Sequence, residues 1–432
     1  MKSMRLRGRK RQAVPDREQG IVIGIDVSKG KMTYGAFQLE GKTKVVTAKQ
    51  DAAGFRRLGE AVAGLREQGY DPWLAYEPTG PYSTCLREWL VSEGLRVVQV
   101  NPYHVRRTKE VRDNNPGKSD GKDPGVIADL VWQGCYLEVR PLGGVYAELR
   151  AASAEWAALS KQRTALRNEF QGLLEVWFPE LREIFADAVG QSVRALVRHY
   201  ASVEAVAQGG VVRLRRILCQ ASRGRTKGRV MAIWEACQDS VAPKAGQQAR
   251  HRHLLCLLDL LEVVEKRQGR LQQEMEIWLR QLPEACFLLS APGVGMVSAA
   301  GLLGECGDLG GYANHKSLEK HLGLDLYEIS SGQRQGQRRI SKRGRSLARY
   351  LLCQIVLTQL KRGGLYCEFA EALKRKGKKG REIRVAAARK LLRLLYALAR
   401  DRAEYNVQRW VSGNGTGDGL TNHPGRPAQI AA

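Results

Sequence analysis

The chain has 432 residues, more than one ordinary core accommodates, so two or three domains are expected. Its net charge of +26, from 70 Lys and Arg against 44 Asp and Glu, calls for a polyanionic partner, because each neutralised phosphate releases condensed counterions. A membrane partner is disfavoured: no apolar run reaches the roughly 20 residues that span a bilayer, and the basic residues are spread over the whole chain, which leaves nucleic acid.

Residues 1–18 open with MKSMRLRGRKRQ, basic and without the apolar core of a signal peptide. A basic disordered arm is expected there, lying on phosphates or simply solvated. Residues 21–37, IVIGIDVSKGKMTYGAF, read as a buried strand, a tight turn at Ser28-Lys29-Gly30 and a second strand. Trp73 to Tyr76 is a short strand ending at Glu77, followed by the breaker Pro78-Thr79-Gly80. A helical pattern from Tyr82 to Ser92 leads to a strand at Leu95–Val100. Strand, helix, strand marks residues 19–142 as one mixed α/β domain.

From Val145 the period changes to three and four. Leu149, Ala152, Trp156, Leu159, Leu166, Phe170, Leu173 and Trp177 form one heptad seam, interrupted by Arg163. Leu254, Leu257, Leu261, Val264, Leu271, Met275 and Trp278 form a second, interrupted by Gln268. The two seams can pair within one chain or between chains. Residues 143–285 thus read as a long helical, coiled-coil middle with a basic insertion at 183–245, which carries the loop Ser222-Arg223-Gly224-Arg225. An all-α domain is expected over 286–406, and the Gly-, Asn- and Pro-rich residues 407–432 read as a disordered tail. Nine cysteines, none in a CxxC pair, suggest reduced thiols in a cytoplasm rather than structural zinc.

Carboxylates sit at informative places. Asp26 closes the apolar strand Val22-Ile23-Gly24-Ile25, Glu77 ends another, and Asp120 and Asp123 follow in KSDGKDPG. Four carboxylates brought together would repel one another, and divalent cations relieve that repulsion. Two Mg²⁺ ions about 4 Å apart can clamp the attacking and leaving oxygens of a phosphodiester. Each acid also has a plainer reading. Asp26 can cap a turn with Ser28, Glu77 can be a solvated turn residue, and Asp123 can be an N-cap with Pro124 at the first helical position.

Further along, Ala291-Pro292-Gly293-Val294-Gly295 followed by Val297-Ser298-Ala299-Ala300-Gly301 reads as a helix-hairpin-helix. Gly293 and Gly295 would turn the backbone and present N–H groups to a phosphate; a plain helix-helix turn is the alternative. Ser330-Ser331-Gly332 precedes the basic run Arg338-Arg339-Ile340-Ser341-Lys342-Arg343-Gly344. A serine among such cations can attack phosphorus while Arg338, Lys342 and Arg343 stabilise the charge that develops. Lys378, Lys379 and Arg381, in the densest basic segment, suit a loop against phosphates.

IGIDVSK, YEPTG, NPYHVRRTKEVR and KSDGKD, in that order, resemble the DEDD transposases of bacterial insertion sequences, the IS110 type. The resemblance covers nearly the whole chain outside its two ends. It implies a ribonuclease H-like N-terminal domain similar to Holliday-junction resolvases, with Asp26, Glu77, Asp120 and Asp123 as the acidic tetrad. Pro124-Gly125 departs from the ordinary helix formers expected there. The resemblance further implies that Ser331, with Ser330 its neighbour and competitor, is a nucleophile forming a transient phosphoserine link to DNA. It implies Mg²⁺, donor and target DNA, a guide-like noncoding RNA of the element, a dimer or tetramer, and a bacterial, nucleoid-associated location. Two rivals stand beside this reading: a metal-dependent junction nuclease without a covalent step, and an inactive nucleic-acid-binding protein.

Overall fold

The computed structural model describes residues 13–39, 44–113, 123–139, 142–328 and 338–408; Asp120, Ser330 and Ser331 lie outside them. The chain divides into two compact units, residues 1–141 and 142–432. Among the described residues no helix is long and apolar enough to cross a membrane.

The first unit is built on a six-stranded sheet. Its elements run β1 (Gly20–Val27), β2 (Lys31–Phe37), β3 (Val46–Lys49), α1 (Ala52–Glu67), β4 (Asp71–Tyr76), α2 (Tyr82–Ser92), β5 (Val97–Gln99), α3 (Pro102–Asp113), α4 (Asp123–Trp132) and β6 (Leu137–Glu138). The strand order is β3-β2-β1-β4-β5-β6. β1, β2 and β3 form an antiparallel meander, whose first turn is closed by Ser28 donating its backbone N–H to the Lys31 carbonyl at 2.9 Å. β4 and β5 continue the sheet parallel to β1, and β6 returns antiparallel.

β1 reads as an unbroken apolar run because helices cover both faces of the sheet. Ile23, Ile25 and Val27 pack with Phe55, Leu58 and Val62 of α1 and with Leu86 and Leu90 of α2. Val22, Trp73, Ala75 and Val98 meet Val105 of α3 and Val126, Ile127, Leu130 and Val131 of α4. Residues 13–18, placed in the basic arm on sequence, are partly held on this unit. Pro15 is buried, and the Tyr136 hydroxyl donates to the Ala13 carbonyl at 2.6 Å.

The second unit is helical. α5 (Val145–Trp177) and α10 (Gln247–Leu279), 33 residues each, enclose α6 (Leu181–Ile184), α7 (Gln191–His199), α8 (Val203–Ser222) and α9 (Val230–Gln238). Then come α11 (Ala285–Leu289), α12 (Met296–Cys306), α13 (His315–Leu322), the two-stranded β7 (Leu326–Tyr327) and β8 (Arg339–Ile340), α14 (Ser346–Gln359), α15 (Cys367–Arg375) and α16 (Gly380–Asp401).

The seams left open between intra- and interchain pairing meet within this chain. α5 and α10 run antiparallel: Glu155 in the first half of α5 takes Arg267 in the second half of α10 at 2.7 Å, while Glu169 near the end of α5 lies 3.3 Å from His253 near the start of α10. Their two ends belong to different cores. Phe170, Leu174 and Trp177 join Leu254, Leu257, Leu258 and Leu261 in a bundle with α7, α8 and α9. Leu149, Ala152, Leu271, Met275 and Leu279 join the core of α11, α12, α14 and α16. The helical middle and the C-terminal helices therefore share a core, and no structural break falls at residue 285. Arg163, the interruption of the first seam, is exposed, whereas Gln268 is buried.

Candidate active site

β1 and β4 lie side by side and parallel, with Val22 opposite Trp73, Gly24 opposite Ala75 and Ile25 opposite Tyr76. Alternation puts Val22, Gly24 and Asp26 on one face of the sheet, that of α3 and α4. Carried one residue past Tyr76, the same register brings Glu77 beside Asp26. Both acids are half-buried at the carboxyl ends of parallel strands, where an open α/β sheet leaves a crevice.

A close backbone approach fixes the third acid. A Cβ on Gly24 would lie 1.9 Å from the Pro124 carbonyl oxygen, so only glycine lets the first turn of α4 rest on β1 at this point. Pro124 and Gly125 are buried in that contact, which explains two poor helix formers opening a helix. Trp132, at the far end of α4, donates to the Phe37 carbonyl opposite Val22 at 3.4 Å, so α4 runs against β1 and its first residue, Asp123, lies on the Asp26 side of Gly24. Lys109 of α3 pairs with Asp123. The start of α3 is set by Asn101, whose side chain accepts the Tyr103 N–H at 2.9 Å ahead of Pro102.

Asp26 and Glu77 thus lie side by side at one end of the sheet, and Asp123 opens the helix that packs on the same strand; Asp120 lies outside the described residues. The donors are all hard carboxylate oxygens, the type that divalent Mg²⁺ takes. Two residues beyond Glu77, the Thr79 hydroxyl is buried with no hydrogen-bond partner among the described residues, an orphan polar atom of the kind a bound group satisfies. Among the described residues, however, no group of three acids, histidines or cysteines is placed to hold a metal ion. Lys109 occupies the place of one positive charge at Asp123. Sequence reading missed both Lys109 and Thr79: a lysine in a basic helix and a threonine in a turn carry no signal until α3 and α4 are packed together.

In the second unit the structure describes both flanks of the Ser330-Ser331 segment. β7 and β8 pair Leu326 with Ile340 and Tyr327 with Arg339, so the ends of the segment are held together as a stem. Below the stem, the Ser341 hydroxyl bonds the Asp325 carboxylate, and its N–H donates to the Asp325 carbonyl at 2.9 Å. Lys342 adopts the left-handed conformation, φ 55°, with its N–H donating to the Gly323 carbonyl at 3.0 Å. Gly344 passes so close to α13 that a Cβ would meet the His321 carbonyl at 2.3 Å. The Ile340 to Gly344 element is therefore a tight backbone crossing that supports the stem. Nearly buried Glu305 lies 4.0 Å from Arg150 and 3.9 Å from Arg345, and Glu319 takes Arg389 and Arg393 at 2.6 and 2.8 Å.

The remaining basic residues from the sequence are placed as follows. Arg338 is exposed and bonds Glu328 at 2.9 Å across the stem. Arg343 is exposed. Lys379 caps α16, with Glu382 bonding back to its N–H at 2.9 Å; Lys378 lies 3.6 Å from the same glutamate, and Arg381 is exposed. Gly293, at φ 82°, turns the chain between α11 and α12, and Gly295 is the exposed N-cap of α12. The observed element is a five-residue helix, a glycine turn and an eleven-residue helix.

Comparison with known proteins places matches in both units. Residues 23–179 match the DEDD domain model of IS110 elements, described as a transposase, and residues 285–367 match the transposase model of the IS116/IS110/IS902 family. The chain is 28% identical over 402 residues to the 44.8 kDa protein of insertion element IS116 from Streptomyces clavuligerus, covering 89% of this chain and 96% of that protein. It is 24% identical over 318 residues to the 43.6 kDa protein of insertion element IS110 from Streptomyces coelicolor, covering 72% and 77%. A protein of insertion element IS900 from Mycobacterium paratuberculosis is 24% identical over 367 residues, covering 82% and 89%.

Proposed function

The chain is an insertion-sequence transposase of the IS110 type, and we propose that it cuts and rejoins DNA with a ribonuclease H-like acidic site in its first unit and Ser331 in its second. What supports this reading is the strand register that sets Asp26 beside Glu77, together with the Gly24–Pro124 contact that packs the start of α4, and so Asp123, on the same strand.

In this reading Asp26, Glu77 and Asp123, completed by Asp120, hold divalent Mg²⁺, as one or two ions. When bound, such a cation supplies charge neutralisation at the scissile phosphodiester. Lys109 pairs with the Asp123 carboxylate and orients it, and the Thr79 hydroxyl, without a partner among the described residues, is available to bond a bound group. Ser331 Oγ gives up its proton and forms a bond to phosphorus while the bond from phosphorus to a sugar oxygen breaks; that oxygen takes up a proton in exchange, and the phosphoserine link keeps the strand joinable. Arg338, Lys342 and Arg343 stabilise charge developing on the phosphate. The Gly293–Gly295 turn and the Lys378, Lys379 and Arg381 segment hold phosphates without reading bases. A guide-like noncoding RNA and at least one further copy of the chain complete the assembly.

Strand cleavage of a DNA spanning the element's junction tests the acidic half, with the RNA of the element supplied. Asp26→Asn, Glu77→Gln and Asp123→Asn should each lower Mg²⁺-dependent cleavage by two or more orders of magnitude while leaving DNA binding in place. Unchanged cleavage in Asp26→Asn would leave a nucleic-acid-binding protein whose acids are structural.

A further inference from the structure

The arginines of the α7–α9 bundle fall into two groups. Those of α7 are spent on structure: Arg194 grips Glu265 through two bonds of 2.8 Å, and Arg198 takes Asp259 and Glu262 at 3.0 and 2.7 Å. Those of α8 and the turn after it, Arg213, Arg215, Arg216, Arg223, Arg225 and Arg229, are all exposed, and none forms an ion pair among the described residues. No Asp or Glu occurs between Glu204 and Glu235. Like charges this dense repel one another, and on sequence the stretch reads as a solvated face unless an anion lies against it.

Three features argue for the anion. First, the charges are aligned. Past the kink at Gly210, Arg213, Arg216 and Arg223 recur at i, i+3 and i+10 on one side of α8, a stripe about 15 Å long. Second, several of these side chains are steadied by neighbours that leave the charge uncancelled. The Arg213 guanidinium lies 5.5 Å from the Tyr200 ring centre, that of Arg229 lies 5.3 Å from Phe185, and Arg225 Nε donates to the Ser222 carbonyl at 3.2 Å. Third, Arg223 sits at the C-cap of α8 in the left-handed conformation, φ 52°, where glycine or asparagine is usual, and the glycine comes one residue later.

These residues lie between the two family-model matches, in a stretch that neither covers. Arginine, with its planar fork, suits phosphate oxygens better than lysine does. We infer that this stripe is a second nucleic-acid interface, which grips the phosphate backbone of duplex DNA without reading its sequence. The choice of DNA rests on the transposase assignment; the interface itself rests on the stripe.

The test is duplex binding by the full-length chain in chelator, where the acidic site is silent and its failure has no bearing on the result. Arg213→Gln, Arg216→Gln and Arg223→Gln are combined. A charge-matched control replaces Arg182, Arg252 and Arg270, exposed arginines elsewhere in the unit, with Gln. The stripe variant should weaken binding at least about tenfold at physiological salt. It should also lower the slope of log affinity against log salt by about 0.9 for each phosphate that is no longer neutralised. The control should change the slope by less than one phosphate's share, and a version with three lysines in the stripe should recover most of the slope. Equal weakening in stripe variant and control would reduce the effect to net charge and overturn the proposal. So would unchanged duplex binding, or a weakening confined to RNA. Because the residues are exposed, melting temperature should not move; if it does, the lysine version carries the same comparison.

Discussion

Gly24 shows how much one residue can decide. It lies in the middle of an apolar strand, where glycine weakens a sheet for lack of side-chain packing, yet the Pro124 carbonyl occupies the space a Cβ would need. Gly24→Ala must push α4 off β1, and with it Asp123. We expect a loss of about 1–3 kcal/mol in unfolding free energy, the usual cost of overpacking a core, together with loss of strand cleavage. Chemical denaturation and a cleavage assay on the same preparation would check it; a stable, active variant would show that α4 can shift without harm. Asp26 and Glu77 were legible in the sequence because each ends an apolar run that could only be a strand. Pro124-Gly125 looked like a flaw in a helix, since its cause is a contact about a hundred residues away in sequence. Lys109 was not legible for the same reason: its partner Asp123 is chosen by the packing of α3 on α4, which no local pattern encodes.

At the scale of elements, the paired helices α5 and α10 are apolar at both ends and polar at their middle. Gln268 is buried there, and its amide donates to Ser160 while its side-chain oxygen has no partner among the described residues. An unmet acceptor of this kind costs about 1–3 kcal/mol. Gln268→Leu combined with Ser160→Ala should therefore raise stability by about 1 kcal/mol, seen as a higher melting temperature; a lower one would mean that the polar pair is needed to set the register of the two helices. The heptad spacing marked both seams and both interruptions, but not which helix each seam meets. That choice is made by residues 178–246, which fold into the α7–α9 bundle and bring the chain back antiparallel. β3 and β6 escaped sequence reading because short edge strands with mostly exposed residues have no apolar run to reveal them.

For the molecule as a whole, the charge of +26 announced a polyanion at once, and the motifs then narrowed it to a transposase. The structure adds where that charge is already spent. Arg194, Arg198, Arg267, Arg389 and Arg393 are paired with acids, while the α8 stripe is not. It also joins the helical middle to the C-terminal core, a union the sequence could not reveal because helical periodicity runs through both alike. The central claim, that acids in one unit and a serine in the other serve one reaction, is tested most directly by trapping a covalent protein–DNA adduct on junction-spanning DNA with Mg²⁺ and the RNA of the element. Wild type and Ser330→Ala should form the adduct, and Ser331→Ala and Asp26→Asn should not. Metal-dependent cleavage that persists in Ser331→Ala without any adduct would contradict the account and leave a hydrolytic nuclease.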